Sequence, residues 1–175
     1  MSLTALSIQV WLHTYATEGV SDDLAREVVA ELVPLADAGR IDLGVSAAQP
    51  ASVHGDPDAL RTLLRNLVDN AVRYTPAGGR VDVSVEEAAG AARGVRLTVS
   101  DDGAGIPLAE RERVFDRFYR RAGTAPPGSG LGLSIVKTIA EAHGATLMLA
   151  DGPAGKGLAV TVSFPPQAAA PGEPA

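Results

Sequence analysis

The chain contains no cysteine. That excludes disulfide cross-links and thiolate metal sites, and it fits a reducing compartment. Aromatic residues are scarce at 4%, so the core has to be built from Val, Leu, Ile and Ala. An excess of positive charge is also missing. The formal net charge of −6 argues against a nucleic-acid surface. No apolar run approaches the ~20 residues of a membrane span, and no direct membrane contact is expected of this chain. The opening stretch MSLTALSIQVWLHTYATEG has neither the basic front nor the long apolar middle of a secretory signal. What is present is the composition of one globular domain, 46% hydrophobic and 21% charged over 175 residues, long enough for a sizeable core.

Residues 1–20 have no clear relation to the rest of the chain and read as a leader or the remnant of a preceding element. From Asp22 the pattern is helical, with Leu24, Val28, Leu32 and Leu35 at three- and four-residue spacing. Ser21 is the expected N-cap and Gly39 the expected C-cap. Residues 41–47 and 52–54 read as short strands. Asp56 followed by Pro57 predicts a second helix start. Its buried stripe is Leu60, Leu63, Leu64, Leu67, Val68 and Ala71, and it ends near Thr75-Pro76. Val81 to Val85 alternates as a strand, and Val95 to Ser100 is its hairpin partner, delivering Asp101 at its end. A short helical piece is expected around Glu110 to Tyr119, inside an otherwise irregular stretch. A third helix is expected from about Gly130 to His143, capped by Gly144. Residues 146–150 and 158–164 read as a closing hairpin, and residues 166–175 as a disordered tail.

Two glycine-dense segments stand out, DDGAGIP at 101–107 and GSGLGLSIV at 128–136. Glycine permits φ > 0 and close backbone approach to a ligand. A glycine run that opens a helix presents unpaired N–H groups at the positive end of the helix dipole, which suits phosphates. On the second helix, Asn66 and Asn70 lie one turn apart on one face. Their amide oxygens suit a hard cation such as Mg²⁺. Arg73 can meet a phosphate and Tyr74 can lie against a base. Asp101 is an acceptor that suits the exocyclic amine of adenine.

Each of these has a plainer reading. An isolated N-x-x-x-N caps or bridges backbone, D-x-G-x-G is a tight turn or a weak cation loop, and glycines at 128, 130 and 132 are a hinge. Arg117, Arg120 and Arg121 could form a solvated face. Phe115, Phe118 and Tyr119 look like packing, and His143 like a helix-terminal cation or a packed ring.

Taken in order, LLRNLVDNAVRYTP, DDGAGIP, VFDRFYR and GSGLGLSIV resemble the N box, first glycine box, F box and second glycine box of the catalytic ATP-binding domain of sensor histidine kinases, in the GHKL superfamily. The resemblance covers residues 22–164. It implies a two-layer α/β sandwich, with a mixed, mostly antiparallel sheet of about five strands covered on one face by three helices. The domain would span 21–165, with ATP and Mg²⁺ as cofactors. Asn70 matches the metal-binding Asn, and Asn66 its polar neighbour. Arg73 and Arg120 match groups near the phosphates, and Tyr74 the residue flanking adenine. Asp101 matches the adenine-reading Asp. Gly103, Gly105 and Ile106 would border the base, and Gly128, Gly130, Leu131, Gly132 and Leu133 the phosphates. Residues 106–127 correspond to the family's nucleotide lid. Asp102 departs from the family's usual Asn.

The superfamily's ATPases and serine kinases carry Glu four residues before the metal-binding Asn. Asn66 stands there in this chain and cannot accept a proton. That favours a histidine kinase over a gyrase-type ATPase, while the intact Asn70, Asp101 and glycines favour it over a degenerate nucleotide-binding interaction module. His13, in WLHTYATE, lacks the hairpin of a phosphoacceptor. The resemblance therefore implies a fragment inactive in autophosphorylation by itself. Its partners would be a histidine-bearing dimerisation domain of the same kinase and a cognate response regulator. Its location would be cytoplasmic, as the inner part of a membrane sensor.

Overall fold

The computed structural model describes residues 22–46, 51, 53, 55–88, 94–119 and 129–166. Outside them lie the leader, Ser21, the strand expected at 52–54 apart from Val53, Arg120, Arg121, Gly128 and the tail beyond 166. The elements are α1 (Asp22–Gly39), β1 (Asp42–Val45), α2 (Pro57–Tyr74), β2 (Arg80–Glu87), β3 (Val95–Asp101), α3 (Gly132–Ala142), β4 (Thr146–Asp151) and β5 (Leu158–Phe164).

The strands form one sheet in the order β1-β2-β3-β5-β4. β1 runs parallel to β2, and the other neighbours are antiparallel. Register stacks the apolar positions in rows across the sheet. Val83 pairs with Val99 and Val99 with Val160; Val85 pairs with Leu97 and Leu97 with Val162. All six are buried, as expected when one sheet face meets helices and the other faces out. The covering helices contribute Val28 and Leu32 from α1, Leu60, Leu63, Leu64, Leu67 and Val68 from α2, and Val136 and Ala140 from α3. Each fully buried aliphatic side chain is worth roughly 1.5–3 kcal/mol relative to exposure. This is the two-layer α/β sandwich that the sequence implies.

Period 2 along β3 decides where the site begins. Leu97 and Val99 point into the core, and the same alternation puts Asp101 on that face, at 6% exposure.

Helix ends reflect local chemistry. Asp56 caps α2, its Oδ1 accepting from the N–H groups of Asp58 at 3.0 Å and Ala59 at 3.2 Å, with Pro57 at the first position. α1 ends on Gly39, but the left-handed residue is the next one, Arg40, at φ 57°. The N–H of Ile41 bonds back to Ala36 and that of Arg40 to Asp37, a Schellman closure.

Two expectations need correction and one is narrowed. The stretch 110–119 is not a helix; it holds two single 3₁₀ turns, Leu108–Glu110 and Arg113–Phe115. So short a segment has no helix stability of its own, and Asp116 is extended while Phe118 sits at φ 63°. His143, read as a helix-terminal cation or a packed ring, is the packed ring and not the cation. Its Nδ1–H donates to the Ile139 carbonyl at 2.8 Å, and its Nε2 accepts the Asp56 N–H at 3.2 Å. The ring thus ties the end of α3 to the start of α2. Phe118, expected to pack, is 72% exposed.

Because two orphan N–H groups at the start of α2 depend on the Asp56 carboxylate, Asp56→Ala should lower the unfolding free energy by about 1 kcal/mol. Asp56→Ser should recover most of that. Urea denaturation monitored by circular dichroism measures both.

Candidate functional site

A cleft of about 400 Å³ opens between α2, the start of α3 and the chain from Asp101 to Tyr119, floored by Val99, Leu158 and Val160 of the sheet. Of the residues singled out from sequence, Asn66, Asn70, Arg73, Tyr74, Asp101, Gly105, Ile106, Gly130, Gly132 and Leu133 all line it. Gly103 and Leu131 do not. Arg120 and Gly128 lie outside the described residues.

The amide side is built where two helices meet. Asn66 donates its Nδ2 to the Thr62 carbonyl at 2.8 Å. A carbonyl only accepts, so this bond settles the amide's orientation and leaves Oδ1 for other partners. Asn70 is half-buried, and its side chain has no hydrogen-bond partner among the described residues. Gly132, the first residue of α3, faces both amides. A Cβ there would lie 3.1 Å from Asn70 Nδ2 and 3.3 Å from Asn66 Oδ1. This face of α2 is therefore half-covered by the glycine that opens α3. One turn on, Arg73 pairs through Nε with Asp69 Oδ2 at 2.7 Å. Tyr74 is 46% exposed at the rim.

Asp101 supplies the opposite end. Its Oδ1 accepts the Gly103 N–H at 2.9 Å and the Leu158 N–H at 3.2 Å. Both bonds fall on one oxygen, which leaves Oδ2 for a ligand. Burial pushes the carboxyl above its ordinary value, the two backbone N–H groups pull against that, and Asp102 adds a little upward. Desolvation wins. Two glycines allow the crowding. A Cβ on Gly103 would sit 2.7 Å from the Tyr74 carbonyl oxygen, and one on Gly105, at φ +65°, would sit 2.6 Å from that of Gly157.

Asp102 turns away from the cleft and accepts the Arg80 N–H through Oδ1 at 2.8 Å. It braces the start of β2, a contact that an Asn oxygen would make equally well.

Sequence reasoning misses several lining residues. Asp69 is findable, since a carboxylate four residues before Arg73 on a helix makes an ion pair. Tyr119 looks like packing in the sequence, yet it lines the cleft and donates its hydroxyl to Glu110, another lining residue, at 3.1 Å. The Leu158 N–H is backbone, 57 positions from Asp101, and no sequence signal marks it. Of the F-box arginines, Arg117 is exposed and does not line the cleft.

Known proteins are similar to this chain. The family described as "Histidine kinase-, DNA gyrase B-, and HSP90-like ATPase" matches residues 55–168. Sensor protein kinase PmrB of Pseudomonas aeruginosa is 43% identical over 143 residues, which is 81% of this chain and 29% of PmrB. The chain thus spans under a third of that relative. The mycobacterial sensor histidine kinase MprB has a solved structure that is similar at a TM-score of 0.68 and 34% identity, covering 85% of this chain and 97% of that one. Full-length ShkA in complex with AMPPNP is similar at a TM-score of 0.71 and 30% identity, over 89% of this chain and 33% of that one. The chain belongs to the histidine kinase-, DNA gyrase B- and HSP90-like ATPases, and within them it is a histidine kinase ATP-binding domain of two-component signalling.

Proposed function

We propose that the domain, residues 21–165, holds ATP with Mg²⁺ in this cleft and donates the γ-phosphate to a histidine on a separate dimerisation domain. The phosphate then passes to a cognate response regulator. The observation that carries this reading is the convergence of the buried Asp101 carboxylate and the Asn66–Asn70 pair on one cleft, with a glycine-opened helix between them. The AMPPNP bound by similar ShkA supports an adenine nucleotide as the ligand.

Asp101 Oδ2 accepts the adenine amine; guanine presents a carbonyl oxygen at that place, which a carboxylate repels. Tyr74 flanks the base at the rim. Gly105 and Ile106 form the wall beside it. The N-terminus of α3, from Gly130 through Leu133, turns backbone N–H groups toward the phosphates. Arg73 and Arg120 add positive charge there.

The donor set fits Mg²⁺. The Asn70 side chain has no hydrogen-bond partner among the described residues and Asn66 presents only its oxygen, so both offer the oxygen ligands that this ion takes along with phosphate. Bound there, Mg²⁺ would neutralise charge on the phosphates during transfer. Asn66 cannot remove a proton, which disfavours hydrolysis. It leaves the site to a nucleophile needing little activation, such as a neutral imidazole nitrogen. The isolated chain is therefore expected to hydrolyse ATP slowly and not to phosphorylate itself. Among the described residues no helix is long and apolar enough to cross a membrane. We place the domain on the cytoplasmic side of a membrane sensor.

Calorimetric titration with Mg²⁺ present should show ADP binding and GDP binding far more weakly; equal affinities would overturn the role of Asp101. Asp101→Asn should weaken ADP by about 1–3 kcal/mol, the loss expected for a charged hydrogen bond.

The same variant should be at least as stable as the parent at neutral pH. A carboxyl whose folded value is raised favours the fold at low pH, and that contribution is lost as pH rises through the raised value. Differential scanning at neutral and acidic pH checks the sign. ADP affinity should fall on acidification sooner than an ordinary Asp would make it, because the amine needs the ionised form.

Asn70→Ala should make nucleotide binding indifferent to Mg²⁺. Retained Mg²⁺ dependence, measured with and without EDTA, would remove that assignment.

A further inference from the structure

Arg111 stands just behind the cleft wall and does not line the cleft. Its side chain is only 14% exposed. All three guanidinium nitrogens are engaged. Nε donates to the Ile106 carbonyl at 3.0 Å, one terminal nitrogen to the Leu149 carbonyl at 3.4 Å, and the other meets the Asp151 carboxylate. Two of these acceptors belong to β4 and one to the loop that leaves Asp101. β4 is an edge strand, so alternate carbonyls face outward with no ladder partner. The Leu149 carbonyl finds its partner in Arg111.

The loop so anchored supplies Ala104, Gly105, Ile106 and Glu110 to the cleft. At its near end it is seated by the Gly103 N–H on Asp101 and by the close approach of Gly105 to Gly157. At its far end Arg111 folds back over five residues and fixes Ile106 to the sheet. Only a planar fork with five donors reaches a loop carbonyl, a strand carbonyl and a carboxylate together; an ammonium is a point charge on a flexible stem.

We infer that Arg111 is the positioning residue of the base-binding wall: it holds the 103–111 loop at the distance from α2 that an adenine ring requires. This rests on the nucleotide reading of the cleft and adds to it a residue that touches neither base nor phosphate. A brace on the base wall acts on the nucleoside. Its loss should therefore cost adenosine and ADP the same factor, whereas a phosphate contact would cost ADP alone.

The test is calorimetry on the 175-residue chain at a temperature well below every thermal midpoint, with adenosine and ADP as ligands. Arg111→Gln should weaken both by the same factor, roughly ten- to hundredfold as expected when hydrogen bonds to a charged group are lost. Arg111→Lys should not restore binding. Asp151→Asn keeps both carbonyl bonds and should stay close to the parent. Parental affinity in Arg111→Gln, whatever its thermal midpoint, would overturn the inference and leave a structural brace. So would a loss confined to ADP, or full rescue by Arg111→Lys. A parent chain that binds ADP but loses nothing in Arg111→Gln refutes only the role of Arg111. A parent chain that ignores ADP refutes the nucleotide reading together with it.

Discussion

The arrangement depends on one substitution of chemistry within a repeating pattern: an acid occupies a β-strand position that the alternation reserves for an apolar residue. Leu97 and Val99 fill the helix-facing side of β3 with hydrocarbon, and Asp101 is the next residue on that side. A carboxylate so placed has lost most of its water. Two backbone N–H groups on Oδ1 compensate part of that loss, and the net effect still disfavours the ion. The fold thus holds a destabilised acceptor at the end of its central strand. A ligand that donates a hydrogen bond to Oδ2 relieves that deficit, which is how a folding cost becomes binding selectivity.

Glycines make the rest of the cleft compatible with that acid. Gly103 and Gly105 let the loop turn directly under the Tyr74 carbonyl and beside Gly157. Gly157 itself crowds Asp101: a Cβ there would approach the Asp101 carbonyl oxygen to 1.9 Å. The turn between β4 and β5 is consequently part of the site without lining most of it. It brings the Leu158 N–H to Asp101, and the Asp151 carboxylate to Arg111 at its other end. The Asp101 end of the cleft is in this way referred to the sheet, while the amide end is referred to the contact between α2 and α3.

Much of this is legible in residue order because the governing interactions are local. The cap on α2, its leucine stripe, the alternation of β2 and β3 and the position of Asp101 on the buried face all come from neighbours within a few residues. So does the Asp69–Arg73 pair, although the motif pattern draws no attention to it. The failures share a cause. The 108–115 stretch is shaped by Arg111 reaching a strand 38 residues away. His143 is defined by a backbone N–H 87 positions earlier. Tyr119 lines the cleft because the chain reverses at Phe118, whose N–H bonds to the Gly130 carbonyl at 3.0 Å. Distant pairings of backbone groups leave no composition or period behind, so such residues read as solvated or packed until the fold brings their partners to them.

The two ends of the cleft also differ in what they can do. The base end offers a fixed acceptor and apolar walls, which confer recognition. The amide end offers oxygen from Asn66 and Asn70, with the Asn66 nitrogen already engaged by Thr62. Neither amide can serve as a general base near neutrality, and the nearby Asp69 is held by Arg73. As proposed, such a site would orient a polyphosphate and stabilise charge, but it offers no base that would make a hydroxyl or water a strong nucleophile. Under the proposed function the nucleophile would have to arrive with its own lone pair, together with the group that receives its proton. On the proposed function the domain is half of a reaction, and the geometry left to be matched would belong to a histidine-bearing segment docking against it.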